Sequence, residues 1–227
     1  MSQLKKIVKI GILIPTRGNR PEFLNQAILM VKNQTLQPDF LEIIDDDFHS
    51  QEIDITRRYY SGCHRLFKNG ANLIFCWEDD DWYSKNYIET VFNEWQKYGR
   101  PDIFGIGYSI YYHILASKWF KINHVGRASM MSTCFTEKIL NAKWPANNYP
   151  YTDIELWRSM KGKTFMPPVP VCLGIKHGIG LVGGGAHDGE TCGHYSNNDI
   201  NGEYLKQITG TDFDFYQGVK NKFVKNG

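Results

Sequence analysis

Between residues 7 and 14 almost every position is apolar and most are β-branched, the pattern of a strand covered on both faces in a parallel sheet. The residues that follow, Thr16, Arg17, Gly18, Asn19, Arg20 and Pro21, carry turn chemistry, with proline at a first helical position. Phe23, Leu24, Ala27, Ile28 and Val31 then recur at one-face helical spacing and predict a helix ending near Gln34. The alternation repeats. A short strand over 41–44 precedes a helix from about 54 to 68, stopped by Asn69 and Gly70; a third strand over 72–77 precedes a helix capped by Ser84. Strand and helix in alternation through about residue 100 predict a doubly wound α/β sheet, parallel for the most part and flanked by helices. Beyond residue 100 the pattern changes: 102–122 is aromatic-rich and strand-like, 136–142 and 152–161 read as helical, and 174–193 as a glycine-rich loop. The second half is expected to add antiparallel strands.

Composition narrows the class. With 227 residues, 42% hydrophobic and 22% charged, the chain is expected to form one domain over 1–227, about 1–100 as one half and 101–227 as the other. A net charge of +2 sets up no strong field, so no nucleic-acid partner is demanded. Five cysteines with no CxxC pair read as reduced thiols, which points to the cytoplasm. The opening apolar run is broken by Lys9 and reads as a strand rather than a leader; no stretch is long enough for a membrane span.

In doubly wound sheets, ligands bind beyond the carboxyl ends of the strands. Three polar segments fall there: the loop with Arg17 and Arg20, the acids Asp45, Asp46 and Asp47, and the run Glu78, Asp79, Asp80 and Asp81. Four adjacent carboxylates repel one another unless a cation compensates. A hard divalent ion, Mg²⁺ or Mn²⁺, would do so together with substrate phosphates. The alternative is a solvated acidic turn that suits the N-terminus of the following helix.

The segment from Ile12 through Pro15-Thr16-Arg17-Gly18-Asn19-Arg20-Pro21, with Ala27-Ile28, Asn33-Gln34-Thr35 and Gln37-Pro38, and then the acidic turn running into Trp82-Tyr83, resembles the family 2 glycosyltransferases of GT-A fold over about residues 7–98. The resemblance implies a nucleotide-diphosphate sugar donor, a UDP-sugar foremost, a divalent metal, and sugar transfer to a hydroxyl. It implies donor contacts from Pro15, Thr16, Arg17, Arg20, one of Asp45 to Asp47, Glu78 and Asp79. Glu78 and Asp80 would stand at the ends of the family's DxD motif; Asp79-x-Asp81 is an equal register, so Asp80 and Asp81 are both candidate ligands. The family's Asp-Asp-Gly-Ser is replaced by Asp46-Asp47-Phe48-His49, which alters the nucleobase pocket.

Transfer with inversion needs a base opposite the departing diphosphate. The segment around Thr152, Asp153 and Glu155 is similar to the family's late acidic motif, and Asp153 is the expected base; Thr152-x-x-Glu155 also fits a capping box, which assigns Glu155 to the cap. In the glycine-rich stretch, Lys176, His177 and His187 are candidates to neutralise the diphosphate, with His177 a possible addition to the metal shell. Trp82 and Tyr83, beside the acids, are the better candidates to stack on a sugar; Tyr108, Tyr111, Tyr112, Trp119 and Phe120 read first as packing. By resemblance, residues 127–131 lie near the acceptor, which is a glycan, a lipid-linked precursor or modified nucleic acid. The rival readings are a sugar nucleotidyltransferase, a metal-dependent phosphohydrolase, and a non-catalytic nucleotide- or glycan-binding module.

Overall fold

Side chains alternate between two helical layers along the first strand, β1 (Ile10–Pro15). Ile10, Ile12 and Ile14 face one hydrophobic cluster, and Leu13 faces the other. In this computed structural model, which describes residues 8–46, 53–146, 149–178 and 194–226, β1 is the second strand of a six-stranded sheet. The first half follows the predicted alternation: α1 (Pro21–Lys32), β2 (Phe40–Ile44), α2 (Ile55–Lys68), β3 (Leu73–Cys76), β4 (Trp82–Tyr83) and α3 (Tyr87–Lys97). Then come β5 (Ile103–Ile106), β6 (Tyr108–His113), β7 (Lys118–Asn123), β8 (Thr133–Phe135), α4 (Thr152–Ser159), β9 (Lys163–Phe165), β10 (Cys172–Lys176), β11 (Asn197–Asn198), α5 (Glu203–Thr209) and α6 (Phe213–Asn226).

The main sheet has the order β2-β1-β3-β8-β5-β9, with β8 antiparallel to both its neighbours and the remaining pairs parallel. This is a mixed α/β fold of GT-A type, with a parallel-rich sheet flanked by helices. Helix α2 packs across β1 and β2 through Tyr59, Cys63 and Leu66, and approaches closely because position 62 is glycine. A Cβ there would lie 2.1 Å from Leu13 Cδ1. The opposite face of the sheet buries Phe23, Ala27 and Val31 of α1 and Ile88, Val91 and Trp95 of α3.

A second sheet, β11-β7-β6-β10-β4, explains how the two halves join. Only five residues separate the end of β3 from β4, and those residues include the acidic run. Strand β4 pairs with β10, so the residues at the end of β10 return beside the acids. The expected glycine-rich loop starts later than the sequence suggested: Gly174, Ile175 and Lys176 are strand residues, and 179–193 lie outside the described residues. The strand-like stretch after residue 100 divides into β5, β6 and β7, and the helix expected over 136–142 is a 3-10 segment, Glu137–Asn141. Among the described residues no helix is long and apolar enough to cross a membrane, and Cys63, Cys76, Cys134 and Cys172 are buried free thiols.

Candidate functional site

A cleft of about 380 Å³ opens at the carboxyl ends of β1 and β3. That volume lies in the range of small-molecule sites. One wall is the β1–α1 loop, with Pro15, Thr16, Arg17 and Arg20; the floor carries Glu78, Asp79 and Asp80; the far wall brings Tyr111, Phe120, His124, Arg127, Asp153 and Lys176.

The acidic run is held from three directions. Thr16 Oγ1 donates to Asp79 Oδ2 at 2.6 Å and receives the Gly18 N–H at 3.1 Å, which ties the first loop to the acids. Arg20 donates to Asp79 Oδ1 at 2.7 Å and to Asp80 Oδ2, and lies 2.8 Å from His177 Nε2, itself 2.9 Å from Asp80 Oδ2. From β10, the Ile175 N–H donates to Asp81 Oδ1 at 2.7 Å. Asp81 Oδ2 is buried with no hydrogen-bond partner among the described residues.

Four carboxylates here face two permanent cations, Arg20 and buried Lys176. Burial raises Glu78, with Asp80 and Asp153 adding repulsion that Lys176 only partly offsets. Burial and neighbouring Asp80 push Asp79 up to about 7, against the pull of Arg20. Asp81 rises well above the carboxylate range for the same reasons, burial first and then Glu78 and Asp80. Asp80 goes the other way: burial opposes its charge, but Arg20 and the His177 hydrogen bond outweigh burial. Arg20 and Lys176 are both raised because the acids around them exceed the cost of burying their charge.

Glu78, Asp80 and Asp81 present carboxylate oxygens within 4.8 Å of one another, a spacing that one cation can bridge. The orphaned Asp81 oxygen and the excess of acid over base both fit a hard divalent ion. His177 is not in that group. Its Nε2 faces Asp80 and Arg20, and its ring packs 4.9 Å from Phe23, so the structure places it as a partner of the acids.

Of the sequence candidates, Pro15, Thr16, Arg17, Arg20, Glu78, Asp79, Asp80, Asp153 and Lys176 line the cleft together, with Asp81 against β10 beneath it. Asp45 and Asp46 do not line it: Asp45 is exposed, and Asp46 pairs with Arg65 on α2. Asp47 and His187 lie outside the described residues. Trp82 and Tyr83 turn away from the cleft. Trp82 donates to Asp212 at 2.9 Å, while Tyr83 stacks on Trp77 at 3.9 Å and its hydroxyl accepts the Glu78 N–H. Tyr111 and Phe120, read as packing residues, are instead cleft-lining.

The capping box at Thr152 does not form. Tyr151 occupies the N-cap position, Thr152 shares a hydrogen bond with Thr56 Oγ1 at 2.6 Å, and Glu155 pairs with Arg158. Asp153 is thereby left facing the cleft, where Arg127 donates to it at 2.7 Å. Burial raises the Asp153 carboxyl, and Arg127 restrains that rise.

Sequence reasoning did not single out Asp54 and Arg58. Arg58, 4% exposed, bonds Asp54 Oδ2 through Nε and Nη2 at 3.0 and 2.7 Å, and through Nη1 the carbonyls of Thr16 and Ile44 at 2.6 and 3.0 Å. Arg17 holds the other Asp54 oxygen at 3.1 Å. The signal was the i,i+4 Asp–Arg spacing at the start of a helix, which ordinarily means only a helical ion pair. His124 was missed as well; its Nε2 meets Ser109 Oγ at 2.8 Å, and burial followed by the Arg127 charge pulls it down to about 4.

No family model matches the sequence, and no curated protein matches it. Solved structures do match. S. aureus TarS 1-349 in complex with UDP aligns at TM-score 0.50 and 10% identity, over 74% of this chain and 60% of that one. The same segment in complex with UDP-GlcNAc gives 0.49 and 11%, over 96% and 72%. A197 from STIV gives 0.46 and 13%, over 70% and 82%. Against the UDP complex of TarS the chain spans 60% of the neighbour's length, and at these identities the likeness is one of fold.

Proposed function

We propose that the chain is a glycosyltransferase that moves a sugar from a nucleotide-diphosphate sugar, a UDP-sugar foremost, to an acceptor hydroxyl. One observation carries the reading: Glu78, Asp79 and Asp80 line the same cleft as the raised carboxyl of Asp153, with the buried Asp81 beside them beneath its floor. The shared fold with TarS, whose structure holds UDP, supports the choice of donor.

In this reading Thr16, Arg17 and the Asp54 wall receive the nucleoside, and Arg20 and Lys176 face the diphosphate. Glu78, Asp80 and Asp81 would hold Mn²⁺ or Mg²⁺, which supplies charge neutralisation for the departing nucleotide diphosphate. Asp153 takes the proton of the acceptor hydroxyl as that oxygen bonds to the anomeric carbon and the carbon–oxygen bond to the diphosphate breaks. Burial raises the Asp153 carboxyl, which suits a base that must hold a proton briefly, and the Arg127 charge beside it restrains that rise. Tyr111, Phe120 and Ile122 give the acceptor side ring and alkyl surface. The acceptor class is a glycan, a lipid-linked precursor or modified nucleic acid.

Calorimetry with UDP, with and without Mn²⁺, tests the donor site, and mass spectrometry of UDP-sugar turnover tests the reaction. Metal-dependent binding with release of UDP supports the proposal. Binding indifferent to metal, with no turnover, fits a binding module; release of a nucleoside monophosphate fits pyrophosphate chemistry.

A further inference from the structure

Asp80 is unlike the other two carboxylates able to share a cation. Among the described residues Asp81 Oδ2 is buried without a hydrogen-bond partner, whereas Asp80 Oδ2 is engaged by both the Arg20 guanidinium and His177 Nε2. That nitrogen serves Asp80 as a donor or Arg20 as an acceptor, not both at once, so the three groups form one frustrated contact. Arg20 also bonds Asp79 and is partly open to the cleft, its side chain 21% exposed. It is the N-cap residue of α1, immediately before Pro21, at the end of the loop that Thr16 anchors.

From this we infer that Arg20 is a resident cation guarding the metal site, and that it leaves Asp80 only when an anionic diphosphate in the cleft takes its guanidinium. The inference rests on the proposed donor site and adds an order of assembly to it. A guanidinium is drawn equally well to carboxylate and to phosphate, and a phosphate group offers it bidentate geometry. Turning Arg20 from Asp80 toward a diphosphate exposes the third carboxylate at the moment a second anion arrives. Divalent cation and nucleotide diphosphate then bind cooperatively, each improving the other's affinity by the same factor. Without nucleotide, Arg20 repels a divalent ion and occupies one of its ligands, so the metal alone binds weakly.

The test is Mn²⁺ binding followed by electron paramagnetic resonance, with and without UDP, in the wild type and in Arg20→Gln, which keeps a hydrogen-bonding side chain beside the acids. The wild type is expected to bind Mn²⁺ at least tenfold more tightly with UDP present. Arg20→Gln should bind Mn²⁺ alone at least tenfold more tightly than the wild type and show little further gain from UDP. Thermal unfolding gives an independent readout: Mn²⁺ without nucleotide should raise the melting temperature of Arg20→Gln more than that of the wild type. If Arg20→Gln binds Mn²⁺ alone no more tightly than the wild type, while UDP still strengthens Mn²⁺ binding in both, the guarding role is wrong and the donor site stands. If neither protein binds Mn²⁺ with or without UDP, the metal-dependent donor site falls and takes this inference with it.

Discussion

Arg58→Met should unfold the protein earlier and loosen its donor wall together. The guanidinium joins three segments: the Thr16 carbonyl just past β1, the Ile44 carbonyl that ends β2, and the Asp54 carboxylate that precedes α2. Breaking a buried ion pair costs about 3 to 5 kcal/mol, and an unsatisfied buried carbonyl about 1 to 3 kcal/mol. Here Asp54 keeps Arg17, and the Met side chain fills most of the volume, so the net loss should fall near 4 kcal/mol. For a domain of this size that lowers the melting temperature by roughly 8 to 16 °C. Urea unfolding monitored by circular dichroism, with an unchanged slope, measures the loss directly. Because Thr16 is a cleft residue, UDP affinity should fall in the same variant under conditions where it remains folded. The pH dependence has a definite direction. Burial opposes the Asp54 charge, but Arg58 and Arg17 outweigh it and hold the carboxyl below its ordinary value. Its contribution is therefore present above the unfolded-state pKa and lost as pH falls through the folded one, so Asp54→Asn should differ most from the wild type at neutral pH and converge with it on acidification. A cost below about 1 kcal/mol for Arg58→Met, or strict additivity with Asp54→Asn, would refute the idea of a three-way staple.

Asp153→Asn should lower transfer by about 10²- to 10⁴-fold while UDP affinity by calorimetry stays within about twofold; turnover near the wild-type rate would place the base elsewhere. Gly62→Ala should destabilise by about 1 to 3 kcal/mol in urea unfolding, since its new methyl meets Leu13 and Ile44 where α2 crosses the sheet. His124 has its folded value lowered to about 4, so the unfolded chain binds the extra proton between pH 4 and 6.5 and stability rises with pH across that window. His124→Gln should flatten this rise in melting-temperature scans, and an unchanged slope would assign it to other groups.

The first half of the chain was legible because each strand there is a short apolar run covered on both faces and each helix has a single apolar stripe. The predicted limits of β1, α1, β2, α2 and β3 fall within a few residues of the observed ones. The second half was legible only in kind. Its strands pair across long separations, β10 with β6 and β8 with β3, and no local pattern encodes such partners. The same reason explains the site. Position after a strand pointed to Thr16, Arg20 and the acids, but the return of Lys176 and His177 beside those acids is set by the pairing of β4 with β10. Asp45 and Asp46 follow a strand just as the acids do, yet a neighbouring helix supplies Arg65 and draws Asp46 to the surface. Trp82 and Tyr83 adjoin the acids in sequence but are both buried, because the short strand they form is covered on both sides, Trp82 meeting Asp212 and Tyr83 stacking on Trp77.

Asp212, just ahead of α6, receives both the Trp82 indole N–H from beneath the acidic run and the Gln26 amide from α1, at 2.9 Å each. Phe215 of α6 lies edge-on to Phe23, the ring on which His177 rests. Asp212 and α6 thus brace the underside of a site to which, among the described residues, they contribute no lining side chain. A chain trimmed near position 200 would keep every described residue of the cleft wall and still lose the bracing of Trp82 by Asp212 and of Phe23 by Phe215, so deletion studies aimed at a minimal active fragment would mistake a missing buttress for a missing catalyst.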